Sequence, residues 1–284
     1  MKEREFKEWL LANGFALSTA MKSVGYAKLI EKEGLDLDTA ERDDIIHYLA
    51  SKREEGMGST SLNHRVRVIN RYMKFRGRED LKMKFLREWQ EETLIIMTDE
   101  EVKRILSVRW VEVGVDRRNR VMLEVLFATG VRINELINLD WSDLKYDNRA
   151  RIWILKIRQG AKYGKPREVP IPRKVVEHLQ EYKKYYRLPT HPSAIFTTPR
   201  GRISHAYARK VLTEAGEKAG VPYFHPHLAR HWKAIKLLES GVDLETVRRI
   251  LGHSSLKTTQ IYLKYRDPGR MWESVKKDRF FGGY

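Results

Sequence analysis

The stretch from His225 to Tyr262, HPHLARHWKAIKLLESGVDLETVRRILGHSSLKTTQIY, holds the side chains best suited to chemistry. His227 and Arg230 stand three residues apart, so on a helix they project from one face. An imidazole beside a forked guanidinium suits a phosphate. Gly241 reads as a helix stop, Val242 to Leu251 as the next helix, and Gly252 as its end, which leaves His253 on the turn. Tyr262 follows nine residues later, on a further short helix. A tyrosine brought back beside His, Arg and His has an obvious use as a nucleophile on a phosphodiester. Taken singly, each residue is ordinary: a His-x-x-Arg pair is commonly a solvated helix face, and a Tyr after Ile is commonly packing. The order and spacing of the whole set carry the reading.

The rest of the chain must position these groups. Its 284 residues, 42% hydrophobic, suffice for two domains and a substantial core, and no apolar run approaches membrane-spanning length. The opening MKEREFKEWL lacks the apolar core of a signal peptide, which points to an intracellular protein. With no cysteine, disulfides, thiolate catalysis and cysteine-based zinc sites are excluded. A net charge of +17 points to a polyanionic partner, with nucleic acid leading over a merely solvated basic surface.

Residues 1–92 read as helices only. Phe6, Trp9 and Leu10 form a stripe ended by Gly14; Ser18 is placed to cap a second helix. Ile45, Ile46 and Leu49 mark a third helix before Gly56. Ser59 or Thr60 is placed to cap a fourth, with Leu62, Val66, Ile69 and Met73 on one face. Arg65, Arg67, Arg71 and Lys74 interleave with that stripe and form a candidate surface for DNA phosphates. Leu81 to Trp89 reads as a fifth helical piece. A second domain, 98–284, restarts at Thr98, which has capping-box spacing to Glu101.

In that domain an apolar helix ends at Gly130 and places Arg132 at the start of the next, where side chain and helix N-terminus both favour an anion. Glu135, one turn on, is spaced to hold the guanidinium. Residues 151–157 and 168–171 read as antiparallel strands joined by a glycine-containing basic turn that carries Lys162 and Lys165. An amphipathic helix over 173–186 and a short strand over 194–198 follow. A helix over 204–219 presents His205, Arg209 and Lys210, candidates for the major groove. The fold expected is mainly α with a small β-sheet, an α+β arrangement.

Together, TG-x-R-x-x-E-L around Arg132, then HxxRH, LGH and TTQIY, resemble the tyrosine recombinases, the integrase and Xer-like group. The resemblance implies an N-terminal helical core-binding domain and a C-terminal catalytic domain. It implies that Arg132, Lys162, His227, Arg230, His253 and Tyr262 are catalytic. Lys162 is singled out because it lies eight positions before Pro170 of the Val169-Pro170 pair, and Lys165 stays open beside it. Ala229 and Trp232 depart from the usual pattern, and both concern packing. In the implied reaction Tyr262 attacks phosphorus to give a 3′-phosphotyrosine and a free 5′-hydroxyl. Arg132 and Arg230 bind the non-bridging oxygens, His227 helps move the tyrosine proton, Lys162 protonates the leaving oxygen, and His253 supports the phosphate and Tyr262.

The implied partners are double-stranded DNA bearing a specific site and further copies of this chain, as a tetrameric synapse on DNA with a monomer expected off it. No membrane partner is expected. Localisation is cytoplasmic and nucleoid-associated, and the biological role Xer-like dimer resolution. The tail after Tyr262, with Trp272, Phe280 and Phe281, is expected to dock on a neighbouring subunit or to finish the chain's own core. Integration or excision of a virus or plasmid is the near alternative. A type IB topoisomerase-like enzyme and a non-enzymatic DNA-binding regulator are more distant ones. No motif has the acidic spacing of a two-metal nuclease, and no cofactor is implied. Strand cleavage is therefore expected to proceed undiminished in EDTA without nucleotide; loss in EDTA with recovery on adding Mg²⁺ is the contrary result.

Overall fold

The computed structural model describes residues 2–86, 94–158 and 166–265. Its contacts divide the chain into two compact units, 1–93 and 94–284. No helix among the described residues is long and apolar enough to cross a membrane.

The first unit is built from α1 (Glu3–Ala12), α2 (Leu17–Lys32), α3 (Arg42–Glu54) and α4 (Ser59–Phe75). Phe6, Leu10, Ile30, Ile45, Ile69 and Met73 fill its core. Two expected caps are displaced: α2 starts at Leu17, one residue before Ser18, and Gly58 takes the cap position of α4. The expected helix over 81–89 is also corrected. Only Glu79–Leu81 forms a 3-10 turn, and 82–86 is not helical. The reason lies on α4, where Asn70 bonds both backbone groups of Met83 and Asn63 both of Leu86, so side-chain amides replace helical partners. Residues 87–89 lie outside the described residues.

Arg65 is a further correction. It is 7% exposed, and its Nη2 pairs with Glu33 Oε1 at 2.7 Å while its Nε bonds the Tyr48 hydroxyl at 3.0 Å. It falls three residues after Leu62 and four before Ile69, within the apolar stripe, and so points into the unit. The Arg65 hydrogen bond holds Glu33 below the usual carboxylate range, against the opposing effect of burial. Arg71 is half-buried, bonding Ser23 Oγ and lying over the Phe15 ring, whereas Arg67 and Lys74 are exposed.

The second unit begins with α5 (Asp99–Leu106), closed by the Thr98–Glu101 capping box. Next come α6 (Val113–Thr129), α7 (Ile133–Ile137) and a three-stranded antiparallel sheet in the order β1 (Leu144–Asp147), β2 (Ile152–Ile157), β3 (Arg167–Ile171). The register pairs Leu144 with Leu155 and Leu155 with Val169. β1 is absent from the sequence expectations because Leu-Lys-Tyr-Asp is too short to declare an alternation. After α8 (Arg173–Tyr185), Ala194 makes only an isolated bridge to Asp140, and the expected strand over 194–198 contracts to β4 (Thr197–Thr198) paired with β5 (Gly201–Arg202). The unit continues with α9 (His205–Lys218), α10 (Pro226–Glu239), α11 (Leu244–Leu251) and α12 (Lys257–Gln260). Leu123, Leu126, Leu136, Leu155 and Leu179 lie in its main core, and α6 packs on both α8 and α10.

The burial of Arg65 gives a direct test. Arg65→Ala strands Glu33 and is expected to cost about 3 kcal/mol of stability, whereas Arg67→Ala leaves it nearly unchanged. Paired thermal melts measure the difference, and equal melts would return Arg65 to the exposed surface.

Candidate active site

Two glycines in the left-handed conformation set up the site. Gly130 (φ 64°) ends α6 and Gly252 (φ 68°) ends α11, and both bring carbonyl groups to one place. Arg230, on α10 and 3% exposed, donates Nη1 to Gly130 O at 2.9 Å and Nη2 to Leu251 O. Arg132, the N-cap of α7, donates Nη2 to the next carbonyl, Gly252 O, at 3.1 Å. The two guanidiniums thus hold consecutive carbonyls. An added Cβ at Gly130 would lie 3.0 Å from Leu251 Cδ2 and 3.2 Å from Lys233 Cγ, so α10 and α11 are close-packed against that turn.

Glu135 is buried beneath the arginines. Its carboxylate accepts from Arg132 Nη1 at 3.0 Å and from the Arg132 backbone N–H at 2.8 Å. Arg167, on β3, grips both its oxygens at 2.9 and 2.8 Å. Burial alone would raise the Glu135 pKa, but the Arg167 hydrogen bonds and charge outweigh it and hold the group at about 2. Among the described residues Arg230 bonds carbonyl oxygens and no carboxylate; burial and the nearby Arg132 charge lower it to about 9. It is still cationic at neutral pH, with the Glu135 charge acting in its favour.

Tyr262, in the turn after α12, is 1% exposed. It packs among Ala234, Ile235, Leu238, Val247 and Leu251. Its hydroxyl lies 2.7 Å from His231 Nδ1, and its ring stacks 6.2 Å from that of His253. Burial raises the phenol pKa despite the opposing Arg230 charge, so the proton stays on oxygen. Burial, with the neighbouring cationic sites, lowers His231 to about 4, so a neutral imidazole shares the hydrogen bond with the phenol. His253, 7% exposed, is lowered to about 3, by burial first and by Arg230 and Arg132 next, and its Nδ1 meets Thr259 Oγ1 at 2.9 Å.

His227 occupies the first turn of α10 and is exposed. Burial of its ring and the charges of His225, Arg230 and Arg132 lower its pKa. The residue on the Tyr262 hydroxyl is therefore His231, not His227. The HxxRH string contained that signal: His231 follows His227 by four residues, one turn further along the same face of α10. Arg167 was missed because its partner Glu135 lies 32 residues away and no local pattern links them. Lys162 and Lys165 lie outside the described residues. His205, Arg209 and Lys210 are exposed on α9. Trp232 donates Nε1 to Asp99 Oδ1 at 2.9 Å and meets Phe127 edge-on, so this departure does pack α10 against α5 and α6. A roomy cleft of the unit, lined by Trp110, Tyr186, Thr198 and Tyr207, includes none of the arginine cluster. The acidic group Glu31–Asp36–Asp38, with oxygens within 4.8 Å of one another, belongs to the first unit.

Paired arginines, a buried histidine and a tyrosine arranged around helix ends have the charge and hydrogen-bond donors that suit a phosphodiester. Residues 96–267 match the model of the phage integrase family, and the chain belongs to that family. Within it, the chain is a site-specific tyrosine recombinase of the Xer-like group, an enzyme that cleaves and rejoins DNA. It is 32% identical to tyrosine recombinase XerA of Pyrococcus furiosus, over 92% of this chain and 88% of that protein. It is also 32% identical to XerA of Thermococcus kodakarensis, over 92% and 89%. Among solved structures, the Tn1549 transposon integrase in complex with circular intermediate DNA has the same fold, with a TM-score of 0.73 at 16% identity, covering 97% of this chain and 99% of that one.

The buried imidazoles make stability pH-dependent. A histidine whose folded pKa lies below its unfolded value of about 6.5 takes up a proton on unfolding, so its contribution is present above pH 6.5 and is lost as pH falls towards the folded value. For His231 and His253 that window opens at pH 6.5 and runs down to about 4 and about 3. His253→Gln is expected to flatten the acid-side decline of stability by about 1.4 kcal/mol per pH unit. Denaturant melts from pH 7 to 4.5 measure it, and parallel curves for the two proteins would contradict a neutral, buried His253.

Proposed function

We propose that Arg132, Lys162, His227, Arg230, His253 and Tyr262 form the catalytic set and act on double-stranded DNA at a specific site. The observation that carries this reading is the placement of Arg132 and Arg230 on consecutive carbonyls, with His253 next in the chain and Tyr262 stacked on it. The Tyr262 oxygen bonds to phosphorus as the bond from phosphorus to the 5′-oxygen breaks, leaving a 3′-phosphotyrosine. Arg132 and Arg230 bind the non-bridging oxygens, whose charge grows in the transition state. The phenol proton leaves through a histidine, with His227 facing solvent and His231 already on the hydroxyl. Lys162 supplies a proton to the departing 5′-oxygen. The new ester conserves the energy of the broken one, so rejoining needs no nucleotide.

In this reading the first unit clamps DNA through exposed residues such as Arg67 and Lys74, and α9 presents His205, Arg209 and Lys210 to the major groove. Four copies assemble around two duplexes, and the protein works in the cytoplasm on the nucleoid. Similarity to XerA over 92% of the chain supports Xer-like dimer resolution over integration of a mobile element. Tyr262→Phe is expected to keep DNA affinity and abolish the covalent complex with a nicked suicide substrate. A surviving adduct, or one mapped to Tyr265, overturns the assignment. Exchange between two labelled duplexes separates recombination from topoisomerase-like action on one.

A further inference from the structure

Arg167 makes contacts that the proposed chemistry does not use directly. Its side chain is 9% exposed, and every nitrogen is committed. Nη1 and Nη2 take the two Glu135 oxygens, which are the same atoms that hold the side chain and backbone N–H of Arg132. Nε donates to Ile250 O at 2.8 Å. The next two carbonyls, Leu251 and Gly252, receive Arg230 and Arg132. The guanidinium also lies close against Gly252: a Cβ there would come within 2.9 Å of Arg167 Cζ and Nη1. One side chain on β3 therefore fixes the carboxylate on α7 and the carbonyl-bearing end of α11.

We propose that Arg167 is a positioning residue for strand cleavage, which aims Arg132 and Arg230 at the phosphate by locking Glu135 to the end of α11. Lysine cannot substitute in full, because one ammonium cannot fork across both carboxylate oxygens and also reach Ile250 O. A displacement of about 1 Å in a catalytic group costs on the order of 10²-fold in rate. The inference rests on the reading that the two arginines bind the scissile phosphate, and the test separates the two.

The experiment measures single-turnover cleavage of a nicked suicide duplex by the full chain, alongside DNA affinity and thermal melting. Two substrates are compared, one with the natural scissile phosphate and one with a methylphosphonate there, in which a neutral methyl replaces a charged non-bridging oxygen. Arg167→Gln is expected to cleave the phosphate on the order of 10²-fold more slowly per active molecule, with DNA affinity retained. Its deficit should shrink about tenfold or more on the methylphosphonate, where less charge needs a guanidinium. Arg167→Lys should recover part of the rate, and it carries the same comparison if the glutamine variant does not fold. A normal rate per active molecule, or an equal deficit on both substrates, overturns the inference: a fold defect alone is blind to the charge of one oxygen. Arg132→Ala serves as the reference. If its own deficit does not shrink on the methylphosphonate, the phosphate-binding reading fails and the inference falls with it.

Discussion

Three guanidiniums gather around a single carboxylate in this site, and that imbalance governs much of the second unit. Arg132 and Arg167 both bind Glu135, while Arg230 is held by carbonyl oxygens. Like charges at such spacing repel strongly wherever water is excluded. What offsets the repulsion is backbone: the C-terminal ends of α6 and α11 present the negative ends of their dipoles and their unsatisfied carbonyls to the cations. The unit has assembled an excess of positive charge from elements that would otherwise end in unpaired oxygens. In the proposed reaction the scissile phosphate would bring counter-charge to this cluster.

This arrangement explains why the scaffold ends two helices in the left-handed conformation at that point. A helix that continued past Gly130 or Gly252 would spend its carbonyls on its own ladder and leave none for an arginine. Ending on glycine turns the chain away at once and keeps those oxygens outward. The small sheet has a matching task. β3 is an edge strand, hydrogen-bonded to β2 on one side, and α11 packs against it, so Arg167 can reach across from sheet to helix.

How much of this was legible in the sequence depended on the range of the interaction. Arg132, Arg230 and His253 sit beside glycines or in short fixed spacings, and helix periodicity and stop signals sufficed to place them on the right elements, whereas Tyr262, expected on a short helix, lies in the turn just after α12. The α+β class followed from long apolar-periodic segments around two β-branched runs. What failed was non-local. The coil over 82–86 depends on two asparagines of α4, and no propensity of its own sequence announces that. Arg167 depends on Glu135 and Ile250, far away in the chain. Arg65 is a different kind of miss. Its position in the stripe of Leu62 and Ile69 already pointed inward, and the overall charge of the chain drew it to the surface instead.

Sealing Tyr262 against His231 has a consequence for how such a protein behaves while it searches. A DNA-bound recombinase passes a great many phosphodiesters that it must leave intact. With Tyr262 only 1% exposed, the residue proposed to attack has no access to any of them. Its ring must first leave the pocket formed by Ala234, Leu238 and Leu251, giving up apolar contacts and a hydrogen bond. Damage at wrong sites is thereby limited by an opening equilibrium as well as by affinity, and two modest penalties multiply into one large discrimination.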